Sequence, residues 1–126
     1  MTFTIPIKIV IPGQARTPQT GQIALRGRLI PGKLYRNYKT AALWFIKCAK
    51  LPSNLKLPLC GMVRVTPVWY HKDRRNRDED NLKKGLGDIL KASPLIVDDK
   101  QIRWGECGHF LDKENPRTEI TIAVLP

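Results

Sequence analysis

From Asp78 to Ala92 the apolar residues fall at helical spacing, with Leu82, Leu86 and Ile89 on one side. Asp80 and Lys84, four residues apart, lie on nearly the opposite side. β-rich runs stand before and after this segment, so the chain must lay one amphipathic helix against a sheet whose strands are distant in sequence. Asp78 or Asp80 can cap the helix, where a carboxylate satisfies free N–H groups and meets the positive end of the dipole. Gly85 and Gly87 each cost about 1 kcal/mol relative to alanine inside a helix. They are tolerated if another backbone comes close to that turn.

The remaining elements follow from local patterning. Residues 3–11 are β-branched and partly alternating and predict a first strand, ended by Pro12-Gly13. Residues 12–34 read as a mobile basic arm with few apolar anchors, with turns at Gly21 and Gly27 and a short strand over Gln22 to Leu25. A helix is predicted over 36–50, with Tyr38, Ala41/Ala42, Phe45 and Ala49 as its buried stripe. Leu43, Trp44 and Ile46 widen the apolar surface, which fits either deep burial or contact with a second subunit. Pro52, Ser53, Asn54 and Pro58 form a linker. Residues 61–70 predict a second strand, and Pro67 within it favours a sheet edge or a bulge. A third strand starts at Gln101 to Trp104, and 118–125 alternate cleanly as a final strand hairpinned with the third. The expectation is one domain over residues 1–126, an α/β fold with a mixed sheet, two main helices and the order β-α-β-α-β-β.

Charge narrows the partner. The chain has 126 residues with 22 Lys+Arg against 11 Asp+Glu, a net charge of +11. Such an excess marks a polyanion partner, most often nucleic acid. The longest apolar runs, such as Ala41 to Ile46, fall far short of the roughly 20 residues that span a bilayer. A soluble, cytoplasmic protein with no membrane partner is therefore expected. Cys48, Cys60 and Cys107 lack paired spacing and read as reduced, mostly buried thiols rather than zinc ligands.

The chemistry concentrates between residues 72 and 99. The cations Lys72, Arg74, Arg75 and Arg77 run directly into Asp78-Glu79-Asp80, and Asp98-Asp99 follows the helix. Either acid pair alone is a common cap or turn feature. Two pairs flanking one helix can fold back to a single site, where their mutual repulsion is resolved by a divalent cation. Oxygen-only ligands favour Mg²⁺, with Mn²⁺ as a substitute, and suit phosphodiester hydrolysis. Lys84 is placed to donate to the phosphorane or the leaving oxygen, besides forming an i,i+4 pair with Asp80. Arg77, Arg75, Arg74 and Lys72 are candidate phosphate contacts beside the acids, and Arg16, Arg26, Arg28 and Lys33 are candidates on the arm. His71 and His109 read as ordinary half-buried or surface residues, and Trp69 and Trp104 as core. Tyr35 is the better candidate for an aromatic wedge between bases.

In the run from Asp73 through Asp78-Glu-Asp80-Asn-Leu-Lys-Lys84 and Asp88-Ile-Leu90 to Val97-Asp98-Asp99-Lys-Gln101, the chain resembles the RusA-type Holliday junction resolvases. These are endodeoxyribonucleases of phages and prophages. Ile11-Pro-Gly and Pro116 to Ile122 extend the likeness more weakly. The resemblance implies a homodimer that binds four-way DNA junctions and makes paired, symmetric nicks with Mg²⁺. It implies Asp78, Asp80 and Asp99 as metal-site acids with Asp98 supporting, Lys84 as the catalytic lysine, and Arg77 as the basic residue before the first acid. Glu79, Gly85 and Gly87 depart from the family pattern without removing any of these groups. Two other readings stand beside this one. The first is a nuclease for flaps or other branched DNA. The second is a non-catalytic DNA-binding module whose acids only cap helices.

Overall fold

The computed structural model describes residues 6–19, 22–53 and 55–125. Its main sheet runs in the order β1 (Ile7–Pro12), β7 (Arg117–Val124), β4 (Val63–His71), then β5 (Ile102–Trp104). A further strand, β6 (Gly108–Leu111), follows β5 along the same side of β4. β7 is antiparallel to both β1 and β4, whereas β5 and β6 are parallel to β4, so the sheet is mixed as expected. The helices are α1 (Lys33–Cys48) and α2 (Glu79–Ala92), and a 3-10 turn at Asp99–Gln101 precedes β5. A separate small hairpin pairs β2 (Ile23–Leu25) with β3 (Arg28–Ile30).

Alternation of side chains across the pleat gives the sheet one buried face. Three rows cross it: Ile7–Ile122–Val65, Ile9–Ile120–Pro67 and Ile11–Thr118–Trp69. All nine residues are buried, and they form one core with the inward residues of the two helices. Thr118 is the polar member, and its hydroxyl meets the Tyr38 hydroxyl at 3.2 Å. β5 and β6 continue two of these rows to the sheet margin, setting Trp104 beside Val65 and His109 beside Trp69. Both margin residues therefore project toward the helical layer.

Several expectations need correction. β7 is not hairpinned with β5; it lies between β1 and β4, because its inward isoleucines complete the rows above. β4 is central rather than an edge. Val65 O accepts from Gly105 N, so odd-numbered residues of β4 direct their backbone groups toward β5 and β6. Pro67, which lacks an N–H, falls where β5 has ended and β6 has not begun. The buried positions of α1 are Tyr35, Ala42 and Ile46, while Ala41 and Phe45 are exposed. Cys48 and Cys60 are exposed rather than buried. The 12–34 connection contains the β2–β3 hairpin, and its Gln14, Ala15 and Pro18 are buried. Residues 3–5, the turn expected at Gly21 and the linker residue Asn54 lie outside the described residues.

α2 has the predicted bounds, with Leu82, Leu86, Ile89 and Leu90 buried. The neighbour that its glycines require is now visible. A Cβ at Gly85 would lie 3.3 Å from the Arg16 carbonyl oxygen, 3.3 Å from the Tyr35 ring and 3.2 Å from Pro18 Cδ. Tyr35 is buried there, and its hydroxyl donates to Gly85 O at 3.0 Å. It therefore cannot serve as the wedge suggested by its place in a basic segment. Burial pushes its hydroxyl well above the ordinary tyrosine range, with the charge of Asp88 adding to the shift.

Candidate active site

The basic run preceding α2 is organised by an acid within it, Asp73. Its Oδ1 accepts from Arg75 N at 3.1 Å and meets Arg77 Nη2 at 2.9 Å. Arg77 Nη1 also donates to the Asp73 and Arg75 carbonyls, both at 3.3 Å. The Arg75 backbone N–H, followed by Arg77, holds the Asp73 carboxyl below its usual range. Arg77 is thus mostly enclosed and braces the loop, while Arg74 and Arg75 are exposed. Arg16, Arg75 and Arg77 line one cavity of about 220 Å³ at the tip of α2, together with Asn76, Asp78 and Asn81. Lys72 is half-buried, and Arg26, Arg28 and Lys33 are exposed on the hairpin and at the start of α1.

Asp78 is the helix cap. Its Oδ1 accepts from Asp80 N at 2.9 Å and Asn81 N at 3.3 Å, while Oδ2 takes no part in these bonds. Glu79 turns under the helix to His109 at 2.8 Å and to Lys83 at 3.4 Å. The His109 hydrogen bond, ahead of Lys83, keeps its carboxyl below the ordinary value. The i,i+4 ion pair of this turn is therefore Glu79–Lys83 and not Asp80–Lys84. Among the described residues Asp80 and Lys84 have no ion-pair partner, and both line a cavity of about 340 Å³.

Asp99 reaches the same cavity from the other end. It is carried by the 3-10 turn, whose cap is Asp98, with Oδ1 accepting from Lys100 N at 3.0 Å. Gln101 fixes this turn in place. Its Oε1 accepts from the N–H groups of Val97 and Asp98 at 2.7 and 2.9 Å, and its Nε2 donates to the Leu59 and Gly61 carbonyls, both at 2.8 Å. A Cβ at Gly87 would lie 3.8 Å from Asp99 Cβ and 3.9 Å from both Ile102 Cδ1 and Trp104 Cζ2. The helix thus meets the acid turn and β5 at a distance where a Cβ would make only ordinary van der Waals contact.

The Asp98 and Asp99 carboxyls are neighbours that shift in opposite directions, since a hydrogen bond between them needs one protonated and that one is Asp99. The Lys100 backbone N–H, with Asp99, lowers Asp98, while the bond to Asp98, then burial, raises Asp99. Asp88 on α2 pushes Asp99 further up, and Lys91 partly offsets it. Negative charge is therefore in local excess at this end of the cavity. Among the described residues no three acidic, histidine or cysteine side chains are grouped so that they could hold a metal ion together. The donors still fit Mg²⁺, which keeps several waters and is often held by only one or two carboxylates.

The 340 Å³ cavity thus collects Asp80, Lys83, Lys84 and Gly87 from α2, Asp99 from the turn, and Ile102 and Trp104 from β5. Asp78 stands on the adjoining cavity, and Asp98 supports Asp99 from the side. A family model described as endodeoxyribonuclease RusA matches residues 6–123, nearly the whole chain. The chain belongs to the endodeoxyribonuclease RusA family. No curated protein matches it. In this RusA-family chain, sequence reasoning missed Trp104 on the cavity wall, Asp73 and Gln101 as braces, and His71 and His109 beneath α2. Only the pairing of β4 with β5 and β6 brings Trp104 and His109 there, and their short strands carry no alternation that announces it.

Proposed function

We propose that this RusA-family endodeoxyribonuclease resolves four-way DNA junctions by paired, symmetric hydrolysis, acting as a homodimer with Mg²⁺, for which Mn²⁺ can substitute. The observation that carries this reading is the one cavity shared by Asp80, Lys84 and Asp99, with unpaired charge of both signs. Asp80 and Asp99 would hold the metal, with Asp78 at the helix cap and Asp98 at the turn as the further acids beside them. When bound, the ion supplies charge neutralisation at the scissile phosphate and a more acidic water. Lys84, one turn beyond Asp80, holds a proton at Nζ for the leaving oxygen and, among the described residues, is not tied up in an ion pair. Arg74 and Arg75 are exposed and would grip phosphates, with Arg77 and Arg16 on the adjoining cavity and Lys72, Arg26, Arg28 and Lys33 outside it.

The dimer reading is supported by α1. Trp44 is 63% exposed and Phe45 is 41% exposed, next to exposed Ala41, which is an apolar strip on a highly charged protein. Two equivalent strands to cut are most simply served by a two-fold axis.

Synthetic four-way junctions, flaps, duplex and single strands, each incubated with Mg²⁺ or EDTA, test the proposal. Symmetric nicks on the junction alone, abolished by EDTA, are expected. Preferential cutting of flaps would move the substrate class, and no cutting of any substrate would refute catalysis. Asp80→Asn should abolish cleavage while junction binding survives, because a ligand is lost and no cation is.

A further inference from the structure

A line of hydrogen bonds runs under the first turn of α2 and links four elements of the chain. Gln14 Oε1 accepts from the backbone N–H of Lys72 at 2.8 Å, and Gln14 Nε2 lies 3.0 Å from His71 Nδ1. His71 Nε2 lies 3.0 Å from His109 Nδ1, and His109 Nε2 lies 2.8 Å from Glu79 Oε1. A backbone N–H can only donate, so its bond to Oε1 fixes the Gln14 amide with Nε2 toward His71. His71 Nδ1 must then accept, leaving Nε2–H to donate to His109 Nδ1. His109 in turn donates from Nε2–H to the carboxylate of Glu79. One group that cannot change thus sets the direction of all four bonds and the tautomer of both imidazoles.

The line is also held sterically. His71 is buried, the two imidazoles lie nearly coplanar, edge to edge with ring centres 5.3 Å apart, and His109 stacks on the buried Trp69 at 5.1 Å. Burial, ahead of the nearby Arg77 charge, depresses His71 to about 4, in keeping with the neutral tautomer that the bonds require. The line ends on Glu79, the residue between the helix cap Asp78 and Asp80.

We infer that His109, oriented through His71 and Gln14, is a positioning residue that fixes the first turn of α2 and hence the direction of Asp80. This rests on the proposed cleavage only for its kinetic consequence. The line itself carries no proton to the site, because it starts at an amide that has none to give up. Misplacement of a reacting group by about 1 Å can cost as much as about 100-fold in rate. Glutamine at position 109 offers one acceptor and one donor at nearly the imidazole spacing, so it can restore the line.

The test compares wild type with His109→Ala and His109→Gln. Long-range ¹H–¹⁵N spectra of the wild-type imidazoles at neutral pH should show both histidines protonated at Nε2 alone. Amide exchange at Asp80, Asn81 and Leu82 should speed up in His109→Ala while the unfolding midpoint and EDTA-state junction affinity change little. Single-turnover cleavage of saturating junction should fall about 10- to 100-fold in His109→Ala, and His109→Gln should recover most of both effects. An Nδ1–H tautomer on either histidine would overturn the inference, as would unchanged exchange in His109→Ala. A failure of His109→Gln to recover the exchange would also overturn it. If the wild type cuts no DNA, the functional proposal fails, while the spectra and the exchange still decide the positioning role.

Discussion

The two glycines of α2 invite substitutions whose effects on stability have opposite signs. Replacing either by alanine should gain about 0.5–1 kcal/mol from helix propensity alone. At Gly85 the new Cβ would sit 3.2–3.3 Å from Pro18 Cδ, the Arg16 carbonyl and the Tyr35 ring. None of these is the free end of a flexible side chain, and the Tyr35 hydroxyl is tied to the carbonyl of Gly85 itself at 3.0 Å. Overpacking against such neighbours costs about 1–3 kcal/mol, leaving Gly85→Ala destabilised by about 1 kcal/mol net. At Gly87 the nearest atoms are 3.8–3.9 Å away, so Gly87→Ala should keep the full propensity gain. The expected gap between the variants is about 2 kcal/mol, read from urea midpoints at unchanged slope by far-ultraviolet circular dichroism. Equal shifts in the two variants, or a Gly85→Ala protein more stable than wild type, would refute the close approach of the 16–18 segment to α2.

Three further outcomes are expected. Trp44→Glu should shift a dimer to monomer in sedimentation at micromolar concentration, and a persistent dimer would remove α1 from the interface. Arg74→Ala combined with Arg75→Ala should reduce the slope of log affinity for junction against log salt by about 1–2, since each phosphate contact contributes about 0.9 on duplex DNA. An unchanged slope would mean that these exposed guanidiniums do not touch DNA. His71 is depressed to about 4 from 6.5, so the unfolded chain takes up this proton first as pH falls. Its contribution is complete above about 6.5 and is lost as pH drops toward 4. After discounting for solvent screening, the loss is about 1–2 kcal/mol. Urea midpoints between pH 7 and pH 4.5 should therefore fall less steeply in His71→Asn than in wild type, and parallel curves would contradict that.

What the sequence disclosed divides along physical lines. The apolar stripe of α2, its aspartate cap and the alternation of β7 depend on residues close in sequence and stand as expected, with Asp78 rather than Asp80 as the cap. The position of β4, the existence of β6 and the burial of Tyr35 depend on segments that meet only after folding. β6 has four residues and no alternating pattern; its ladder bonds to β4 and the stacking of His109 on Trp69 define it. The candidate site was half visible for the same reason. Asp80 and Lys84 share a helix face, whereas Trp104 and His109 are delivered by parallel pairing across about 40 residues.

Two residues that local rules penalise nevertheless marked where distant segments arrive. Pro67 weakens any central strand, and it occupies the gap between β5 and β6, where no partner awaits its missing N–H. Gly85 weakens any helix, and it occupies the turn against which the Arg16 carbonyl and the Tyr35 ring rest. Each is tolerated because its local cost is met by a tertiary contact that a larger or donor-bearing residue would disturb. The same reasoning separates the two acids next to Asp80. Asp78 is spent on a cap that any helix N-terminus would accept, so its type alone says little about chemistry. Glu79 gains its meaning from His109, thirty residues away, and so belongs to the part of the site that only the fold could show.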